Sequence, residues 1–225
     1  MVTGGVARAA VFGVNDGLVS NVSLILGFAG GGATSSVVRL AGLAGALAGG
    51  ISMAAGEWVS VSAQNELIER ELNVERRELR MNPADETEEL AAMYVADGMD
   101  PERARLAAAD VMRRPDDALA VHARTELGVD PDRLASPAVA AGSSLICFLF
   151  GALLPVLPWL FDVTGMAPTI ASIVIAVIAA AAVGAIIGRS AARSIPRSVL
   201  RQVLIVLGAC AVTYAAGQLI GINVS

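Results

Sequence analysis

The sequence has no lysine, one histidine, two cysteines and only 4% aromatic residues in 225 positions. Each shortage closes off some chemistry. No nucleophile stands with a paired base, and the only histidine is His122, which argues against a soluble-type enzyme. The two E-x-x-H motifs of a ferritin-like di-iron oxidase are missing. Cys147 and Cys210 lie inside apolar runs, where cysteine behaves as a small hydrophobe, and there is no CxxC, disulfide framework or haem motif. No GxxxxGK[ST] loop is present to suggest nucleotide-driven pumping, so any transport must draw on an existing gradient. The absence of lysine makes all 16 basic residues arginine, which reads as a GC-rich, bacterial genome rather than as function.

What is abundant is hydrocarbon. With 55% hydrophobic and 16% charged residues and a mean hydropathy of +0.65, the composition is that of an integral membrane protein. Five apolar runs, at roughly 10–32, 37–63, 138–160, 168–188 and 199–221, approach or exceed the ~20 residues that cross a bilayer as a helix. The first lacks a basic n-region and a small-residue cleavage site, so it reads as a retained span rather than a signal peptide. Charge is segregated: Asn65 to Arg133 holds 18 acids and 10 arginines, net −8, against 3 acids and 6 arginines elsewhere. The expected organisation is all-α: spans one and two over 1–64, an acidic water-soluble helical insert over 65–134, and spans three to five over 135–225. Arg189, Arg193, Arg197 and Arg201 crowd the loop between spans four and five, whereas "FDVTGMAP" between spans three and four has none. This asymmetry predicts that the arginine loop, the insert and the N-terminus, with Arg8, are cytoplasmic and the C-terminus outside. Arg39 is a weak dissent.

Polar residues interrupt the first two spans. "VNDGLVSNVS" puts Asp16, Ser20 and Ser23 at i, i+4 and i+7, flanked by Asn15 and Asn21. A carboxylate at membrane depth costs at least ~2.5 kcal/mol and normally faces a bundle interior, a cavity or an ion path. The competing reading is an interfacial segment or a helix-capping break with Asp16 bonded to backbone. In span two, small residues recur every four positions at Ala41, Gly45 and Gly49 and at Gly42, Ala46 and Gly50, which allows close helix contact in lipid. The helix then runs on through "ISMAAGEWVSVSAQNELIERELNVERREL" with no proline. Met53, Glu57, Ser60, Gln64, Glu71, Glu75 and Glu78 fall on one stripe, Glu57 and Glu75 being five turns, or about 27 Å, apart. Asp16, Met53 and Glu57 on adjacent spans favour a cation path.

The insert reads as the end of that helix followed by three more: "ADETEELAAMYVADG", "DPERARLAAADVMRR" opened by Asp-Pro, and "PDDALAVHARTELG" ending at Gly128. Glu75/Glu78 and Glu86/Glu89 form E-x-x-E pairs, and His122/Glu126 stand at i, i+4, so each pair could clamp one ion. Carboxylates with an imidazole suit Fe2+ or Mn2+, whereas calcium prefers oxygen alone. The alternative is a set of solvated acidic faces.

"NDGLVSNVSLILGFAGG" followed by "LAGLAGALAGGISMAAGEWVSVSAQNELIERE" resembles the vacuolar iron transporter family, in particular its nodulin-21-like branch. The insert position, "RRPDDALAVHARTELGVDP" and the prolyl third span "FLFGALLPVLPWLF" fit as well, so the resemblance covers nearly the whole chain. It implies a homodimer whose first two spans line a metal path between subunits, exchanging Fe2+, and often Mn2+, for protons. It also implies a cytoplasmic metal-binding domain built on helix-borne glutamates. By motif, Asp16 and Met53 correspond to the membrane ligands, and Glu75, Glu78, Glu86, Glu89 and Glu126 to the domain's ligands.

Two positions depart from the pattern. His122 stands where some relatives have methionine, which leaves two readings: a more pH-sensitive nitrogen ligand in place of sulfur, or a position that does not ligate at all. Gly45 stands where some carry a glutamate, leaving Glu57 as the candidate for proton coupling. The expectation is therefore a secondary transporter and not an enzyme. It would export Fe2+, with Mn2+, from the cytosol in exchange for protons across a bacterial plasma membrane. Asp16, Ser20, Met53 and Glu57 line the path, and Asp16, Met53, Glu75, Glu78, Glu86, Glu89, His122 and Glu126 bind metal. No permanent cofactor and no nucleic-acid partner are expected. The rival is a metal-sensing or scaffolding membrane protein.

Overall fold

The computed structural model describes residues 3–161 and 165–222, with side chains placed over 10–114, 117–161 and 165–221. Arg8's side chain and the centre of the "FDVTGMAP" loop, both used for orientation, lie outside them. The described chain is helical: α1 (Thr3–Gly30), α2 (Ser35–Met81), α3 (Pro83–Ala96), α4 (Pro101–Met112), α5 (Pro115–Thr125), α6 (Pro137–Leu153), a 3-10 helix (Leu154–Leu160), α7 (Ala167–Ser190) and α8 (Ile195–Ile222). It divides into two compact units, Met1–Trp58 with Ala138–Ser225, and Val59–Pro137.

Among the described residues, five helices are long and apolar enough to cross a membrane: Ala10–Gly30, Ser35–Met81, Pro137–Leu160, Ala167–Ser190 and Ile195–Gly221. They fall on the five apolar runs of the sequence. In α1, Leu18, Val22 and Leu26 lie four apart on one face and meet Ala176 and Ala180 of α7 and Val206 and Cys210 of α8. Alanines at that contact let the helices close without large side chains, the usual way of packing in lipid. A closer approach joins α1 to α6. A Cβ on Gly17 would lie 2.1 Å from the Phe148 carbonyl oxygen, and one on Gly151 would lie 1.9 Å from that of Val14, so only glycine fits at either position.

The third span is not one continuous α-helix. Pro155 has no N–H to donate and its ring crowds the preceding turn, so α6 stops at Leu153 and the chain tightens into the 3-10 segment that also holds Pro158. The change frees backbone acceptors in a setting without water. Ser172 Oγ of α7 donates to Pro155 O (2.7 Å) and accepts from Trp159 Nε1 (2.9 Å), all within the buried interior.

In the second unit Leu90 and Ala91 of α3 pack on Ala104 and Ala108 of α4, with Tyr94, Val111 and Val121 around them. Asp100 caps α4, its carboxylate accepting from the backbone N–H groups of Glu102 and Arg103, with Pro101 at the first helical position as the Asp-Pro start predicts. A small alanine-rich core of this kind stabilises a helix cluster only modestly. The fold tolerates buried polar groups beside it, and those groups are the ones that matter below.

Candidate functional site

The membrane unit and the insert each hold a cluster of polar side chains. In the membrane unit, Asp16 lies mid-way along an unbroken α1, which overturns the helix-capping alternative. Its backbone oxygen accepts the Ser20 hydroxyl at 2.6 Å, while its exposed carboxylate has no hydrogen-bond or ion-pair partner among the described residues. Asp16, Ser20 and Met53 line one groove of about 450 Å³ together with Asn21, Gly45 and Phe148. Met53 is partly buried against Ala46, Phe148 and Ala152. Glu57, one turn further along α2, is partly buried but does not line the groove, and Ser23 turns instead toward Thr213 and Gly217 of α8. Three of the four predicted pathway residues therefore share a surface.

Small residues on α2 make that surface. Gly45 faces Leu24 and Asn21, Gly49 faces the Phe148 ring and Gly50 faces Leu145 and Leu149, so the four-residue rows receive side chains of α1 and α6. Asn21, noted in the sequence only as a flank of the Asp16 stripe, is 2% exposed and ties three elements together. Its Nδ2 donates to Ala152 O of α6 (2.6 Å) and Gly42 O of α2 (3.1 Å). On the other side of α1, Gln202 of α8 donates to Asn15 Oδ1. The alternation of polar and apolar residues flags both asparagines, but their partners lie far along the chain.

In the insert the structure regroups the predicted pairs. Rather than each E-x-x-E pair closing on itself, Glu75 of α2, Glu86 of α3, and His122 and Glu126 at the end of α5 converge. His122 Nδ1 lies 2.9 Å from Glu75 Oε1 and 3.5 Å from Glu86 Oε2, and ligand atoms of Glu75, His122 and Glu126 all lie within 4.8 Å of one another. Glu78 is partly buried and accepts from Asn82 Nδ2 at 2.8 Å, and Glu89 is exposed. His122 is fully buried and Glu75 and Glu86 nearly so, yet Glu75 Oε1 and both ring nitrogens make no aligned hydrogen bond among the described residues. Buried polar atoms left in this way ordinarily cost about 1–3 kcal/mol each.

Crowding shifts the acids. Burial first, then the charges of Glu86, Glu126 and Glu89, push the Glu75 carboxyl up to about 7. Burial, then Glu89, Glu126 and Glu78, raise Glu86 as well. Burial holds the His122 imidazole below its usual value against the opposing pull of Glu126 and Glu89, so near neutrality it is an uncharged nitrogen donor. Repelling carboxylates around a neutral imidazole lose their mutual penalty when a divalent cation sits among them.

The VIT family model matches residues 7–218. The chain is 37% identical over 155 residues to a vacuolar iron transporter of Acanthamoeba castellanii, covering 69% of this chain. It is 30% identical over 172 residues to vacuolar iron transporter 2 of Oryza sativa subsp. japonica, covering 76% of this chain. The chain spans just over half, 56%, of the amoebal relative's length and 70% of the rice protein's. With the matched model running through the first span, the insert and nearly all of the last span, the chain belongs to the VIT family.

Proposed function

We propose that this membrane protein transports a divalent transition metal, Fe2+ and also Mn2+, out of the cytosol in exchange for protons, as a homodimer with the insert on the cytoplasmic side. The observation that carries the reading is an Asp16 carboxylate without a partner among the described residues and the Met53 thioether, facing one groove between membrane-length helices. A carboxylate exposed to hydrocarbon is unfavourable, so the exposure of Asp16 supports a second copy covering that face. Two copies would offer the ion two carboxylates and two thioethers as it sheds water. The soft sulfur favours Fe2+ over Mg2+ and Ca2+.

The insert is the capture site. Glu75, Glu86, Glu126 and neutral His122 form a mixed oxygen and nitrogen set suited to first-row divalent ions, with Glu78 and Glu89 adding charge at its edge. Protons leave these acids as metal arrives, and an acidic far side returns protons to Asp16, evicting the ion there. Glu57 is the candidate for carrying that proton. Names of the relatives support iron as cargo. The test is uptake into proteoliposomes loaded with a pH-sensitive dye, comparing Fe2+ under anaerobic conditions, Mn2+ and Ca2+ across an imposed proton gradient. Fe2+ and Mn2+ should enter as protons leave, with Asp16→Asn silent. Binding without movement of any ion would transfer the protein to the sensing class.

A further inference from the structure

We infer that Asn21 supplies a neutral oxygen ligand to the cation in the membrane groove, beside Asp16, at a contact where Gly45 puts no side chain against that oxygen. The inference rests on the transport reading and concerns a residue outside its ligand set. Asn21 is 2% exposed, and both of its amide hydrogens are committed, since Nδ2 donates to the backbone oxygens of Ala152 and Gly42. Those two partners accept only, so they fix which end of the amide faces them, and Oδ1 must point the other way. Oδ1 is buried with no hydrogen-bond donor among the described residues, and Asn21 lines the groove that holds Asp16, Ser20 and Met53.

The geometry around Oδ1 selects its partner. A Cβ on residue 45 would stand 2.9 Å from Oδ1 and 2.4 Å from Leu24 Cδ2, so glycine is what keeps a methyl group off this buried oxygen. An acceptor in lipid without a donor is costly. A partly dehydrated divalent cation, bound directly or through one of its waters, satisfies it. A carbonyl-type oxygen is a hard ligand that neither titrates nor adds charge, so it complements a carboxylate that must release its ion on protonation. Asn21 would hold the ion during the step in which Asp16 changes partner.

The test is Mn2+ uptake by the full-length protein in proteoliposomes, measuring KM and maximal rate for Gly45→Ala, Asn21→Leu and the double variant, with Asp16→Asn alongside. Gly45→Ala presses a methyl group on Oδ1 without removing the amide that makes the Nδ2 hydrogen bonds. Each single variant should raise KM about tenfold, the equivalent of one forfeited ligand contact, and the double variant should be no worse than either. An unchanged KM in Gly45→Ala, or effects that multiply in the double variant, would overturn the inference, leaving Asn21 as a brace and Gly45 as packing. Should Asn21→Leu fail to assemble as a monodisperse protein, Asn21→Ser takes its place in the cycle. Wild-type uptake by Asp16→Asn would instead bring down the transport reading itself.

Discussion

On the proposed reading, the groove in the membrane unit and the cluster in the insert would meet one problem, holding a divalent cation, under opposite constraints. In the groove a single acid, Asp16, is exposed and surrounded by neutral donors, Ser20, Asn21 and Met53. In the insert, acids crowd one another and a buried imidazole. Lipid penalises every added charge, so a membrane site economises on carboxylates and borrows neutral atoms. Water around the insert, in its proposed cytoplasmic place, would allow charge to accumulate until only a cation relieves it. A site of the first kind suits passage and one of the second suits capture.

The sharpest break in that contrast comes at Asp16. Asp16→Asn should lower uptake by roughly 100-fold or more, since even outer-shell partners of metal ligands are worth 10–100-fold, while size-exclusion behaviour stays that of wild type. Equal uptake would show that the lone acid is dispensable. Next, Glu75→Gln with Glu86→Gln should weaken Mn2+ binding by about 10–100-fold, read by titration of full-length protein in the Asp16→Asn background so that the insert is the site observed. The same pair should raise the melting temperature of the metal-free protein, because it removes two acids that repel in a buried place. A lower melting temperature would mean that the acids brace the fold.

Acidification tests the same crowding more gently. Glu75 titrates near 7 when metal-free, so below that pH a proton must leave before the ion binds. Affinity should fall up to about tenfold per pH unit between 7 and 6 for each proton displaced, and flatten above pH 8. His122, held below its usual value, contributes less to that slope than Glu75, so His122→Met should change affinity while leaving most of the slope in place. That outcome would correct the simpler expectation that the imidazole is the pH-sensitive ligand. The smallest effect is assigned to Glu89→Gln, below about threefold, because an exposed acid acts on the cluster through screened charge alone. A larger loss would make Glu89 a direct ligand.

Much of this was legible in the residues because it depends on local spacing or bulk composition. Run length alone marks the five apolar helices, and one acid in the first run marks Asp16. Glu75, Glu86, His122 and Glu126 are each visible as helix-borne donors, but periodicity pairs residues on one helix, whereas the cluster draws on α2, α3 and α5 at once. Pro155 and Pro158 forecast trouble in the third span, though not that Ser172 and Trp159 would absorb it. Asn21 is the clearest omission. Its meaning depends on an oxygen 131 residues away and on the lack of a side chain at Gly45, neither of which leaves a local pattern.

The interlocked glycines of α1 and α6 carry a consequence for how the sequence can drift. At Gly17 and Gly151 each backbone occupies the volume that a neighbouring methyl group would need. Neither position can be rescued by changing the other, since the obstacle is main chain. A saturation scan should find both intolerant of every residue, alanine included. Gly142 and Gly208, with nothing among the described residues within 4 Å of their Cβ positions, should accept alanine and many larger residues. Glycines of one composition count would thus split into two classes of mutational tolerance, and the intolerant class would trace the line where two helices touch.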